Sequence, residues 1–158
     1  MTTASSQSTP EQRLLALGLE LPDVPAPLAV YVPAVRVAGL VWTSGQLPTI
    51  AGALLATGKV GDAVNEETAA SCARLAALNA VAAIRSVVGD LTTVKRVARV
   101  GVYVASAPTF TRQAQVANGA SELLGAVFGD LGQHARSAVG VPVLPLDAPV
   151  EVEVTVEA

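Results

Sequence analysis

"NEETAASCARLAALNAVAAIRSVVG" (residues 65–89), followed shortly by "VARVGVYVA" (residues 97–105), decides the fold. The first stretch is alanine-rich and free of proline, which favours helix. Asn65 supplies an N-cap, Glu66 and Glu67 suit the positive end of the helix dipole, and Gly89 ends the run. Cys72, Leu75, Asn79 and Ala82 or Ala83 recur at helical spacing, so the single cysteine reads as a small core residue rather than a reactive thiol. The second stretch is dense in valine and reads as a central strand. Upstream, "YVPAVRVAGLVWTSGQLP" (31–48) reads as two strands turning at Ala38-Gly39, then a loop at Gly45. A weak hairpin arm passes near Leu54-Leu55. Downstream, a second helix is expected over Thr111–Phe128, stopped by Gly129. Two strands, "ARSAVGVPV" (135–143) and "VEVEVTV" (150–156), close the chain. The order β-β-α-β-α-β-β specifies an α+β domain, a mixed sheet with two long helices on one face.

The N-terminal residues carry a different signature. Residues 1–8 are small and polar and are expected to be disordered. In "TPEQRLLALG" (9–18) Thr9 is a candidate N-cap, Pro10 stands at the first helical position, Gln12 completes a capping box and Gly18 stops the helix. "LELPDVPAPLA" (19–29) holds three prolines and reads as an extended surface arm. The division is therefore an extension over 1–27 and a domain over 28–158.

At 158 residues, with 51% hydrophobic and 15% charged residues, the chain has more apolar surface than a solitary globule needs to bury. A homo-oligomer is the simplest outlet for the excess. No unbroken apolar run approaches the ~18 residues of a membrane span, and the N-terminus lacks the pattern of a signal peptide, so a cytoplasmic location is expected. One cysteine permits no internal disulfide and no cysteine-based metal site. A net charge of −3, dispersed basic residues and 3% aromatics argue against nucleic acid as a partner. Lys95-Arg96 reads as a solvated strand end.

Within "HARSAVGV" (134–141) an arginine opens a strand that is otherwise apolar. Strict alternation puts Val139, Val141 and Val143 on one face, expected to be the core, and Arg136, Ala138, Gly140 and Pro142 on the other. That second face is nearly stripped of volume, leaving a concavity beside one cation. A guanidinium matches a carboxylate in bidentate fashion. An uncompensated buried charge costs several kcal/mol, so Arg136 needs an anion. The anion is either a protein carboxylate or a ligand. In a simple hairpin about Leu144–Pro149, Glu157 would lie opposite Arg136, and Glu151 would share its site only through a less simple sheet or a neighbouring protomer. His134, in the turn before the strand, reads as a surface residue.

Taken in order, "YVPAV", "WTSGQLP" (42–48), "VANGASELL" (116–124), "HARSAVGV" and "APVEVEVTVEA" (148–158) resemble the Rid family, the YjgF-type reactive-intermediate (imine/enamine) deaminases once called endoribonuclease L-PSP. The resemblance spans roughly residues 28–158. It implies a chorismate-mutase-like fold, a homotrimer with sites between protomers, and hydrolysis of 2-imino acids to 2-oxo acids and ammonia. Neither a metal nor a cofactor is implied. By this resemblance Arg136 binds the substrate carboxylate and Glu151 orients or deprotonates water. Tyr31 walls the pocket, Ser44-Gly45 and the backbone of Ala138 hold the imine or oxo group, and Asn118 joins them from the second helix. The implied partners are small 2-imino or 2-oxo carboxylic acids. Many family members carry a cysteine where this chain has Ala138, and compact members lack its first thirty residues. A non-catalytic carboxylate-binding protein of the same fold is therefore the alternative reading.

Overall fold

Alternation along the last strand separates the two sides of the sheet. The computed structural model describes residues 8–24 and 30–158. The expected disorder of the first residues, the end of the proline-rich arm and the 27/28 boundary fall on 1–7 and 25–29, outside the described residues. The chain runs through helix α1 (Pro10–Ala16), strands β1 (Ala34–Val37) and β2 (Leu40–Thr43), a small hairpin β3 (Thr49–Ile50) and β4 (Ala53–Leu54), and helix α2 (Glu66–Val88). Strand β5 (Arg96–Ala105), helix α3 (Gln113–Phe128), β6 (Ala135–Val141) and β7 (Val150–Glu157) complete it. Val150, Val152, Val154 and Val156 of β7 are all buried, against the helices.

The main sheet has five strands in the order β1-β2-β7-β5-β6. All pairings are antiparallel except β5 with β6, which is parallel. Strands β2 and β5, each antiparallel to β7, also run the same way. Helices α2 and α3 are thus successive crossovers in one direction, which puts both on the same face. Their contact is close. A Cβ at Gly119 would overlap the backbone carbonyl of Ala70, so only glycine lets α3 approach α2 there. Cys72 of α2 is buried in the core, and burial pushes its thiol pKa up to about 11, which keeps it protonated.

Local signals act where they stand in the sequence. Thr9 and Gln12 form the reciprocal capping box of α1, and the Asn65 side chain accepts from Thr68 N–H at 2.8 Å. Ala38 and Gly39 take positive φ of 50° and 80° in the β1–β2 turn. Length and composition alone would let α2 cross a bilayer, yet twelve of its residues are buried against the sheet and α3, as in a core helix. Helix α3 starts at Gln113, two residues later than expected, and Arg112 before it pairs with Glu66 at 2.6 Å. Lys95, at the start of β5, pairs with Glu157 at 3.5 Å in solvent.

Two expectations about the closing strands are corrected. Strands β6 and β7 do not form a hairpin, because β5 lies between them. Glu157 consequently stands opposite Leu40 and Arg96 rather than opposite Arg136. The faces of β6 are also reversed. Ala138 packs toward the core, whereas Val139 is 44% exposed and Val143 is 68% exposed. The physical reason is the nearness of α3 to this edge strand: the face that meets a helix closely must be the small one. A Cβ at Gly140 would crowd the Gln113 side chain of α3.

Candidate functional site

Arg136 therefore lies on the helix side of an edge strand, where it reaches along α3. Its Nη1 donates to Asn118 Oδ1 at 2.9 Å and to Ser121 Oγ at 3.0 Å, and Nη2 donates to the Ala114 carbonyl at 3.3 Å. Positions 114, 118 and 121 form one stripe at helical i+4 and i+3 spacing. All three acceptors are uncharged. Among the described residues no carboxylate comes within ion-pair distance of Arg136. A guanidinium has five N–H donors, so three are engaged and two remain. Arg136 is exposed rather than buried as the sequence suggested, so its charge stands in solvent without a carboxylate partner among the described residues. Ser121, Gly125, Gly132, Gln133, His134 and Arg136 line a hollow of about 380 Å³ beside it.

A second group occupies the opposite face of the sheet. Glu151 on β7 presses its carboxylate against Gly45, where a Cβ would overlap Oε1. Burial, and secondarily the neighbouring charge of Glu153, raise the Glu151 carboxyl pKa above its ordinary value. Glu153 accepts a hydrogen bond from Tyr103 Oη at 3.1 Å. Burial first, then the charge of Glu153, raise the Tyr103 phenol. Ser44 is turned away from this carboxylate, its Oγ donating to the Val32 carbonyl at 2.6 Å, and it ties the entering chain to the end of β2. Tyr31 stands 66% exposed one residue before Val32.

The seven residues named from the sequence thus fall into two groups. Arg136, Asn118 and Ala138 gather on the helix side at β6, and Glu151, Gly45, Ser44 and Tyr31 gather near the end of β2. The registers Val100↔Arg136 and Tyr103↔Glu151 separate the two ends by three residues along β5 and by two strand spacings. That amounts to roughly 10 Å along the strands and another 10 Å across, on opposite faces. One chain does not bring Arg136 and Glu151 together.

Other contributors were not read from the sequence. Ser121 and the Ala114 carbonyl touch the arginine, and His134 is half-buried rather than a free surface residue. Its Nε2 lies 2.9 Å from Ser121 Oγ, and its Nδ1 meets the Gly132 carbonyl. The helical stripe 114-118-121 was a legible signal; the approach of His134 from a separate loop was not. Among the described residues, no three His, Cys, Asp or Glu side chains cluster as a metal site would require.

This geometry can be set beside known proteins. The chain matches the family model described as "YjgF/chorismate mutase-like, putative endoribonuclease" over residues 11–157. The protein TCP17 of Trypanosoma cruzi is 44% identical over 147 residues, 91% of each chain. Among solved structures, Atu1372 of Agrobacterium tumefaciens, a protein of unknown function, is 41% identical with a TM-score of 0.87, covering 94% of this chain and 91% of that one. A Shewanella oneidensis protein of the same endoribonuclease description is 36% identical with a TM-score of 0.92, covering 96% and 100%. The sequence motifs, the sheet order and these matches agree: the chain belongs to the YjgF/chorismate mutase-like family.

Proposed function

We propose that this chain hydrolyses reactive 2-imino acids and their enamine tautomers to 2-oxo acids and ammonia, in clefts between the protomers of a cytoplasmic homotrimer. The observation that carries the reading is the state of Arg136: held by three neutral oxygens, facing a hollow, with two N–H donors and a full charge left over. A substrate carboxylate fits that remainder. Such a charge-assisted contact contributes roughly 1.5–3 kcal/mol.

An imine carbon is already electrophilic, so the reaction needs positioning and proton movement. Water adds to the C=N carbon, and the nitrogen takes up protons and departs as ammonia as the C=O bond forms. Glu151, contributed by the neighbouring copy, takes the proton from water and returns it to nitrogen. A carboxyl whose pKa is raised suits that exchange, because it gives and accepts a proton more evenly near neutrality. Tyr31 walls the cleft, and backbone N–H groups at Gly45 and Ala138 hold the nitrogen or the oxo oxygen, while Ser44, whose N–H donates to the Pro33 carbonyl at 2.8 Å, shapes the turn that presents Gly45. Residues 28–158 would form the catalytic unit, with 1–27 as an extension beside it.

Decay of 2-iminobutanoate or 2-iminopropanoate, generated in situ, tests the reading. Wild type should accelerate it and Arg136→Ala should not; equal rates for the two would remove the proposal. Ala138, where many relatives carry a thiol, favours a second reading as a non-catalytic binder of small carboxylates. Calorimetric binding of 2-oxobutanoate or benzoate without imine turnover would favour that reading. RNA cleavage that disappears in Arg136→Ala would overturn both, against the expectation from a net charge of −3.

A further inference from the structure

The hydroxyl that holds Arg136 is itself held. His134 Nδ1 faces the Gly132 carbonyl, and only an N–H can face a carbonyl productively. In the neutral ring the proton is therefore on Nδ1, and Nε2 is an acceptor. Ser121 must then donate its hydroxyl proton to Nε2, leaving its oxygen lone pairs for Arg136 Nη1 at 3.0 Å. Every bond in the series points one way: Arg136 to Ser121, Ser121 to His134, His134 to the Gly132 carbonyl.

A serine inside a helix ordinarily turns its hydroxyl back onto a carbonyl of the preceding turn. His134 offers a better acceptor and draws the Ser121 proton away from the helix. An exposed arginine loses rotamer freedom on binding, so an anchor that holds it beforehand strengthens whatever it binds. We propose that Ser121 and His134 are positioning residues for Arg136: His134 sets the direction of the Ser121 hydroxyl, and Ser121 holds the guanidinium so that its two remaining donors face an incoming carboxylate. This inference rests on the reading of Arg136 as the carboxylate-binding group. It adds a control on that group from two residues that line the same hollow, Ser121 on α3 and His134 in the loop before β6.

Calorimetry with 2-oxobutanoate and imine kinetics on Ser121→Ala, Ser121→Thr, His134→Phe and the Ser121→Ala/His134→Phe double variant test it. Ser121→Ala is a mild change in a helix, since alanine is the better helix former. Each single removal should weaken acid binding and raise KM by about 3- to 10-fold, the range of one neutral hydrogen bond. kcat should stay within twofold, because the carboxylate is held equally in ground and transition states. The double variant should be no worse than the worse single one, since both act through one series of bonds. Ser121→Thr, which keeps the hydroxyl, should bind within twofold of wild type. Unchanged binding in Ser121→Ala and His134→Phe, or effects that multiply in the double variant, would overturn the inference while Arg136→Ala still loses the acid. If Arg136→Ala binds 2-oxobutanoate as wild type does, the carboxylate-site reading itself has failed.

Discussion

Glycine 45 and glutamate 151 show how one residue's lack of a side chain sets another's position. A methyl group at Gly45 would overlap the Glu151 carboxylate, yet that carboxylate ends a flexible chain and can swing aside. Gly45→Ala should accordingly cost less than about 1 kcal/mol of stability. It should nevertheless lower kcat/KM by about 10- to 100-fold, since a displacement near 1 Å at a reacting group is that expensive. Urea unfolding beside imine kinetics separates the two effects; a large stability loss with activity retained would contradict the argument. Glu151 makes a second prediction through its own titration. Its folded pKa lies above its ordinary value of 4.5, so the folded state keeps a proton that the unfolded chain has already released. Stability therefore falls as pH rises from the ordinary value through the raised folded-state value, and the penalty grows across that window. Glu151→Gln should be more stable than wild type at pH 7, should lose that advantage below pH 4.5, and should be inactive. An equal stability difference at pH 4 and pH 7 would refute the electrostatic origin.

At the scale of elements, the decisive contact is between α2 and α3. Gly119 meets the Ala70 backbone, which cannot rotate out of the way as a side chain could. Gly119→Ala gains about 1 kcal/mol in helix propensity but overpacks the interface by about 1–3 kcal/mol or more, so destabilisation wins. Denaturant midpoints should show a net loss, and an increase in stability would mean that the helices can part freely. The Asn65 cap gives a simpler expectation. Asn65→Ala removes the acceptor for Thr68 N–H and should cost about 1 kcal/mol.

For the whole molecule, the described residues cover the sheet on one side only. The helix side is filled, whereas the far side shows Trp42, Val35, Val37 and Val139 substantially exposed around Glu151 and Tyr103. That uncovered face and the division of Arg136 from Glu151 make one joint prediction. Arg136→Ala and Glu151→Gln, each inactive alone, should regain activity when unfolded together and refolded as a mixture. In a random cyclic assembly about one quarter of the clefts receive both native residues. Sedimentation should report three copies per particle. A monomer, or no recovered activity in the mixture, would mean that the proposed site is not shared between copies.

Much of this organisation is local and was legible in the residue order. Thr9, Asn65, Gly89 and the Ala38-Gly39 turn act on backbone groups within four residues, so their outcome does not depend on the rest of the fold. The alternating valines of β7 were equally clear, because a central strand has one filled side whatever its neighbours are. Arg136 also stood out, as a charge opening an apolar strand, whereas Glu151 was set apart from Glu153 and Glu157 only by the family resemblance. Three things waited for the tertiary structure: which strand lies beside which, which face of β6 is packed, and what holds the arginine. Strand order follows from the crossovers of α2 and α3, and small residues on β6 suit an open hollow as well as a closely packed helix. His134 and Ser121 meet only because β6 returns alongside α3. Periodicity records which residues share a side, but only the packing of distant segments decides what that side meets.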